Sequence, residues 1–183
     1  MLARPIGSPA MPTIIPLANV DADLVEQLLD RAFGEGRQAR TAYRIREGVE
    51  WLEALSFAAL DDDEYLAGTI QLWPVALTDP DGRNHPLIMV GPVAVLPEKQ
   101  SEGYGKALML AALGAIDAGA ALPQVMIGDP DYYGRFFGFA SEATQNWHCP
   151  GPFDRDRLLV RCDNAAILPE EGMLGPWPSA LKE

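Results

Sequence analysis

An apolar run from Leu87 to Leu96, LIMVGPVAVL, is interrupted only by Gly91-Pro92. Its length and composition suit a buried strand. Pro cannot donate to a strand ladder and Gly weakens one, so the pair predicts a bulge or a local parting of strands. A loop with Pro97, Gln100, Gly103 and Gly105 follows, then a mostly apolar helical pattern from Lys106 to Asp117. Strand, glycine loop and helix in that order form a concavity in which backbone N–H groups and a helix N-terminus receive an anion. The chain is therefore expected to bind something phosphorylated.

Two common phosphate sites fail on particular residues. A P-loop needs a Gly where Gln100 stands and a hydroxyl where Ala107 follows Lys106. A dinucleotide fingerprint needs a third Gly at the position of Leu108. What remains is Gln100-Ser101-Glu102-Gly103-Tyr104-Gly105, a Q-x-x-G-x-G loop, preceded by Val90-Gly91-Pro92-Val93-Ala94-Val95-Leu96-Pro97 and followed downstream by Tyr132-Tyr133-Gly134-Arg135-Phe136. In that order these segments resemble the GNAT superfamily of N-acetyltransferases, and within it one bacterial subfamily. The resemblance covers about residues 13–163.

It implies an α/β (α+β) architecture, the GNAT acyl-CoA N-acyltransferase fold. That fold has a central mixed, mostly antiparallel sheet with a splayed parallel strand pair and flanking helices. The periodicity runs in the same order. Residues 1–12 read as a flexible lead-in, residues 13–163 as the domain and residues 164–183 as a C-terminal extension packed on it. Thr13–Leu17 reads as a first strand, and a helix capped by Asp21 ends at Gly34. A second helical stretch spans Thr41–Leu55, with Gly48 as a break point. Ser56–Leu60 and Tyr65–Trp73 form a hairpin around the acidic turn Asp61–Glu64, and Thr78–Pro86 is a polar turn. Pro123–Gly128 suits a buried parallel strand, and Asp129-Pro130 starts a short helix that ends at Gly138. Phe139–Trp147 and Leu158–Cys162 read as closing strands, and the tail from Leu168 as turn-rich, held to the surface by Trp177.

By the same resemblance the cosubstrate is acetyl-CoA. Its pantetheine arm enters the strand gap against the backbone of Val93, Ala94 and Val95, in the manner of an added strand. Its pyrophosphate lies over Gln100, Ser101, Glu102, Gly103, Tyr104, Gly105 and Lys106. Ser101 stands where subfamily members often carry Gly. A tyrosine on the helix after the next strand protonates the departing thiolate. Tyr133 matches that position, with Tyr132 as the alternative, because this chain runs YYGRFFGF, one Phe more than the subfamily pattern YYGRFGF. For a general base Asp129, His85, Glu142 and a water all remain open. His85 beside Pro86 and His148 read as structural residues.

A formal net charge of −12 argues against a nucleic-acid surface and tilts the acceptor towards a cation. Cys149 and Cys162 make no disulfide framework, and with His148 they lack a second ligand pair at zinc spacing, so no metal is expected. No apolar run approaches the roughly 18 residues of a membrane helix, and no charged segment leads into an apolar one at the N-terminus, so neither a membrane nor an export signal is expected and the compartment reads as cytoplasmic. The partners implied are acetyl-CoA and a small amine or peptide acceptor, with a homodimer as the family expectation. The function expected is acetyl transfer to a primary amine by direct attack. A non-catalytic acyl-CoA sensor of the same fold and transfer of a longer acyl group are the alternatives.

Overall fold

The computed structural model describes residues 12–119 and 122–181, so the lead-in expected over residues 1–12 falls outside the described residues except for Pro12. Among these residues eight strands form one mixed sheet: β1 (Thr13–Pro16), β2 (Phe57–Leu60), β3 (Leu66–Thr78), β4 (Asn84–Val95), β5 (Gln124–Ile127), β6 (Asn146–His148), β7 (Leu158–Arg161) and β8 (Glu171–Pro176). Among the described residues four α-helices accompany them: α1 (Ala22–Phe33), α2 (Thr41–Ile45), α3 (Tyr104–Asp117) and α4 (Pro130–Phe137). The main strand order is β1-β2-β3-β4-β5-β7, with β8 joining β3 and β6. On that path β4 and β5 are the parallel neighbours, and the other pairs run antiparallel. No helix among the described residues is long and apolar enough to cross a membrane.

Helix α3 covers one face of the sheet because Leu108, Met109, Ala112, Leu113 and Ile116 form a buried stripe at helical spacing. They pack with Ile70 and Leu72 of β3 and Ile88 and Val90 of β4. The opposite face of the same strands, Val75, Leu77, Leu87 and Met89, packs with Trp147, Leu158 and Leu174. A third cluster sits under α1, where Val25, Leu28 and Leu29 meet Leu17, Ala58 and Ala94. Asp21 caps α1 through Asp23 N–H at 2.8 Å, as its sequence suggested.

Three expectations are corrected. The second helical stretch, expected over Thr41–Leu55, is helical only to Ile45, with a 3₁₀ turn at Glu53–Leu55. Gly48 takes a φ of +80° and turns the chain, while Arg46 is drawn inwards. The strand expected over Phe139–Trp147 shrinks to a single bridge at Ala140 and the short β6. There the Thr144 hydroxyl is hydrogen-bonded to Leu158 O (2.6 Å) and Ser141 O (3.1 Å), and side-chain bonding replaces the ladder. Finally, the tail expected to be turn-rich contributes β8, in register with Val75–Thr78, with Leu174 fully buried. Alternation of Met173, Leu174 and Gly175 between Gly and Pro residues gives too short a run to read as a strand, and pairing with β3 decides it.

The edge of β3 is shared. β2 pairs with its first half and β8 with its last four residues. Between them the segment before β2 supplies the missing partners. Leu52 N–H donates to Leu72 O at 2.7 Å, and buried Ser56 Oγ accepts from Leu72 N–H at 3.1 Å while donating to Leu52 O at 2.8 Å. Removing that hydroxyl leaves the buried Leu72 N–H without its partner, while Leu52 O keeps only the Leu55 N–H at 3.1 Å. Ser56→Ala is expected to destabilise the protein by about 1–3 kcal/mol, read as a shift in the denaturant midpoint with unchanged m-value.

Candidate active site

The site begins at the Gly91-Pro92 interruption. Ile70 of β3 pairs with Val93 and Leu72 with Val90, so Gln71 faces two residues, Gly91 and Pro92. This is a β-bulge, and one extra residue reverses the facing of everything after it. Ile88 and Val90 face α3 before the bulge; Val93 and Val95 do so after it. Gly91 adopts a φ of +124°, a region that favours glycine. Its carbonyl accepts from Arg46 Nη1 at 2.8 Å and from Trp73 Nε1 at 2.6 Å.

Beyond the bulge β4 and β5 part. Their parallel pairing is confined to Ile88 with Gln124 and Met89 with Val125. Leu96 N–H donates to Ala67 O on the β3 side, so by the two-residue period Val93 and Val95 direct their backbone groups away from β3 into the gap. The Ala94 side chain is buried against α1.

The loop after β4 is rich in free donors. Among the described residues no acceptor is bonded to the backbone N–H of Gln100, Ser101, Glu102, Gly103, Tyr104, Gly105 or Lys106; the first bonded amide is Ala107, to Gly103 O. Gly103 lies in the left-handed region at φ +91° and turns the chain into α3. Ser101 has φ +67°, a conformation that disfavours side chains, which explains why Gly suits this position. Tyr104 buries its ring in the core beneath the helix, so only its backbone faces the loop. Glu102 is exposed, and Lys106 extends over the Phe136 ring at 5.1 Å. Arg31 on α1 grips Glu98, just before the loop, through both carboxylate oxygens at 2.9 and 2.8 Å.

Two cavities meet at this point. The smaller, about 340 Å³, is lined by Val93, Val95, Gln100, Gly105, Tyr132 and Tyr133 among others. The larger, about 740 Å³, lies between the bulge, the end of β5, α4 and the chain around α2. Val93, Tyr132 and Tyr133 line both. The two tyrosine rings meet edge to face at 5.0 Å. Burial, with the neighbouring Tyr132 and Asp129, pushes the Tyr133 phenol up to about 12, and burial also raises that of Tyr132. The extra Phe of YYGRFFGF lengthens the last turn of α4, leaving Phe136 exposed and Phe137 buried, and both tyrosines remain at the junction.

Of the candidate bases, Asp129 lines the larger cavity and caps α4 through Asp131 N–H at 3.0 Å. His85 lies instead in the β3–β4 hairpin, 2.8 Å from Asp79, and Glu142 in a 3₁₀ turn; neither lines either cavity. Two features escaped the sequence reading. Gly128 lies against Tyr133 so closely that a Cβ would come within 2.8 Å of its ring. Buried Arg37 donates to Tyr43 (2.6 Å), Asp30 (2.9 Å) and Glu26; burial opposes its charge, but those bonds hold its pKa above the ordinary arginine value. An Arg in a helical charge pattern gives no sign of turning inwards, whereas Gly128 before an Asp-Pro helix start is a readable signal.

The model of the acetyltransferase (GNAT) domain family matches residues 13–140. This chain belongs to the GNAT family. Among solved structures it is similar to YhbS, a GNAT family N-acetyltransferase from Escherichia coli in complex with CoA, with 23% identity, a TM-score of 0.71 and coverage of 95% of this chain and 94% of that one. At that identity the likeness is one of fold. A GNAT family acetyltransferase from Brucella melitensis in complex with acetyl-CoA is 26% identical, with a TM-score of 0.54 over 86% of this chain and 99% of that one. Among curated proteins no match was found. The mixed sheet with its β4–β5 parallel pair is the GNAT fold expected from the sequence.

The tight seat of Tyr133 in this GNAT chain gives a direct check. Gly128→Ala is expected to cost about 1–3 kcal/mol by overpacking. In a Tyr133→Ala background the same change should cost much less, and a double-mutant cycle in denaturant measures the difference.

Proposed function

We propose that the protein transfers an acetyl group from acetyl-CoA to a primary amine of a small molecule or peptide by direct attack, without a covalent enzyme intermediate. The observation that carries this reading is the unbroken run of unpaired amides from Gln100 to Lys106 at the N-terminus of α3, beside the gap between β4 and β5. Such a run supplies a diphosphate with several donors and the partial positive charge of the helix end. The backbone of Val93 and Val95 then pairs with the pantetheine arm, with Ala94 between them packed into the core. The complexes of the two similar GNAT proteins with CoA and acetyl-CoA support this ligand.

With the arm in the smaller cavity, the thioester falls near Val93, Tyr132 and Tyr133, where the larger cavity opens for the acceptor. The amine attacks the carbonyl carbon, a C–N bond forms, the C–S bond breaks and the thiolate takes a proton. Tyr133 is our choice of donor, since a phenol titrating at about 12 stays protonated at neutral pH and cannot act as a base there. Asp129 is the carboxylate best placed to receive the amine proton, directly or through water, because it lines the same cavity.

CoA is expected to raise the melting temperature of the purified protein, with about 2.7 kcal/mol of stabilisation at a hundredfold excess over Kd. Replacing Gly103 and Gly105 together by Leu should remove most of that protection, since Gly103 needs its positive φ and both allow close approach. Failure of CoA to protect the natural protein at any concentration would sink the proposal.

For chemistry, thiol release measured over an amine panel should fall by about 10²–10⁴-fold in kcat for Tyr133→Phe, with the KM for acetyl-CoA little changed. Because the pKa is raised, the proton-donating form persists as pH increases. The natural enzyme should therefore show no loss of kcat from this group below about pH 11, in line with a phenol near 12. Tight CoA binding without thiol release from any amine would reduce the protein to a binding module.

A further inference from the structure

The larger cavity, on the acceptor side of the site proposed above, carries a charge opposite to that of the molecule. Against a net charge of −12, its lining holds Arg37, Arg40, Arg46 and Arg157 with a single carboxylate, Asp129. Arg37 is neutralised from behind by Glu26 and Asp30 on α1. Arg46 is not. The residue is only 5% exposed, and its guanidinium lies 4.1 Å from the Tyr43 ring and 4.1 Å from the Trp73 ring.

Nη1 of Arg46 donates to Gly91 O, and among the described residues no carboxylate lies within ion-pair distance of the group. Arg46 also interacts with the Tyr43 hydroxyl, and its side chain lines the cavity. Arg157, exposed at the cavity wall, has no ion pair either, and its charge reaches Tyr133. Burial lowers the pKa of Arg46 only to about 10, so it stays charged at neutral pH. A stacked, dry guanidinium at a cavity wall is suited to a planar carboxylate. Unpaired, such a buried charge is costly, and a bound anion offsets that cost.

We propose that the acceptor is an amine that carries a carboxylate on an apolar body, the class of free amino acids, with Arg46 and Arg157 receiving the carboxylate. Phe33, Met126, Ile127 and Phe153 receive the body, and the amine points towards the junction at Tyr133. This rests on the acetyl-transfer reading of the site and narrows it. The product is the N-acetyl amino acid, its carboxylate unchanged and still paired. The overall acidity of the chain, which favours cations at long range, is overridden at contact distance by the local guanidinium groups.

The test is calorimetric titration of the CoA-saturated protein with the proteinogenic amino acids and with their carboxamides. At least one amino acid is expected to bind at least tenfold more tightly than its own carboxamide. Arg157→Ala should weaken the acid at least fivefold and the carboxamide little, leaving CoA affinity unchanged. Arg46→Lys, which keeps the charge and loses the fork, should compress the acid-to-amide ratio, with folding checked by circular dichroism; Arg157→Ala carries the test if that variant does not fold. Equal binding of acid and amide, or no amino acid bound while CoA still binds, overturns the carboxylate assignment and leaves the acetyl-CoA reading standing. If CoA itself does not bind, the parent reading fails, and titration of the unliganded protein with the same pairs decides this one separately.

Discussion

The carbonyl of Gly91 is the hinge of this structure. The bulge takes it out of the β3–β4 ladder, and a buried carbonyl without a donor would cost about 1–3 kcal/mol. Arg46 and Trp73 supply the donors from one side chain beyond α2 and one on the facing strand. Because the extra residue is held there, Val93 and Val95 rather than Ala94 face α3, and their backbone groups face the gap beyond which β5 has parted company. A strand without the bulge would keep its pairing with β5 and leave no room for an arm between them. One satisfied carbonyl thus links the local sequence Gly-Pro to the opening on which the proposed function depends.

The loop that follows answers a different constraint. Donors that serve a bound anion must not be used up by the protein's own carbonyls, and the N–H groups from Gln100 to Lys106 make no backbone bonds among the described residues. Gly103 adopts its left-handed φ readily, while Ser101 takes one at a cost of about 1–3 kcal/mol. Rigidity comes from the flanks. Tyr104 is anchored in the core, Arg31 holds Glu98, and Lys99 lies 3.6 Å from Asp61 in the β2–β3 turn. The acidic turn thus has a structural role: Asp61 accepts from Asp63 and Tyr65 N–H and lies beside that lysine.

Charge is distributed against the grain of the composition. The chain is acidic as a whole, yet guanidinium groups crowd the wall facing the two tyrosines. Arg37 is compensated from α1, so its bonds fix Tyr43, and Tyr43 in turn stacks on Arg46. The same cluster that closes the bulge therefore also sets the electrostatics of the cavity. Any change in it affects strand geometry and the charge of the cavity wall together.

The caps at Asp21 and Asp129 and the glycine turn into α3 were legible in the chain because each depends on contacts between near neighbours, a cap or a glycine φ, whereas the family and the sheet with its parallel pair were legible through the resemblance of ordered motifs. Where pairing partners lie far apart, the sequence was silent. It did not show that residues 171–176 complete the edge of β3, that the segment after Ile45 turns at Gly48 rather than continuing as helix, or that His85 and Glu142 lie away from the cavities while Asp129 lines one. The burial of Arg46 between two rings belongs to the same class. A side chain's direction and its charge partners are set by what packs against it, and for Arg46 those neighbours include a strand more than forty residues away, which only the folded chain brings within reach.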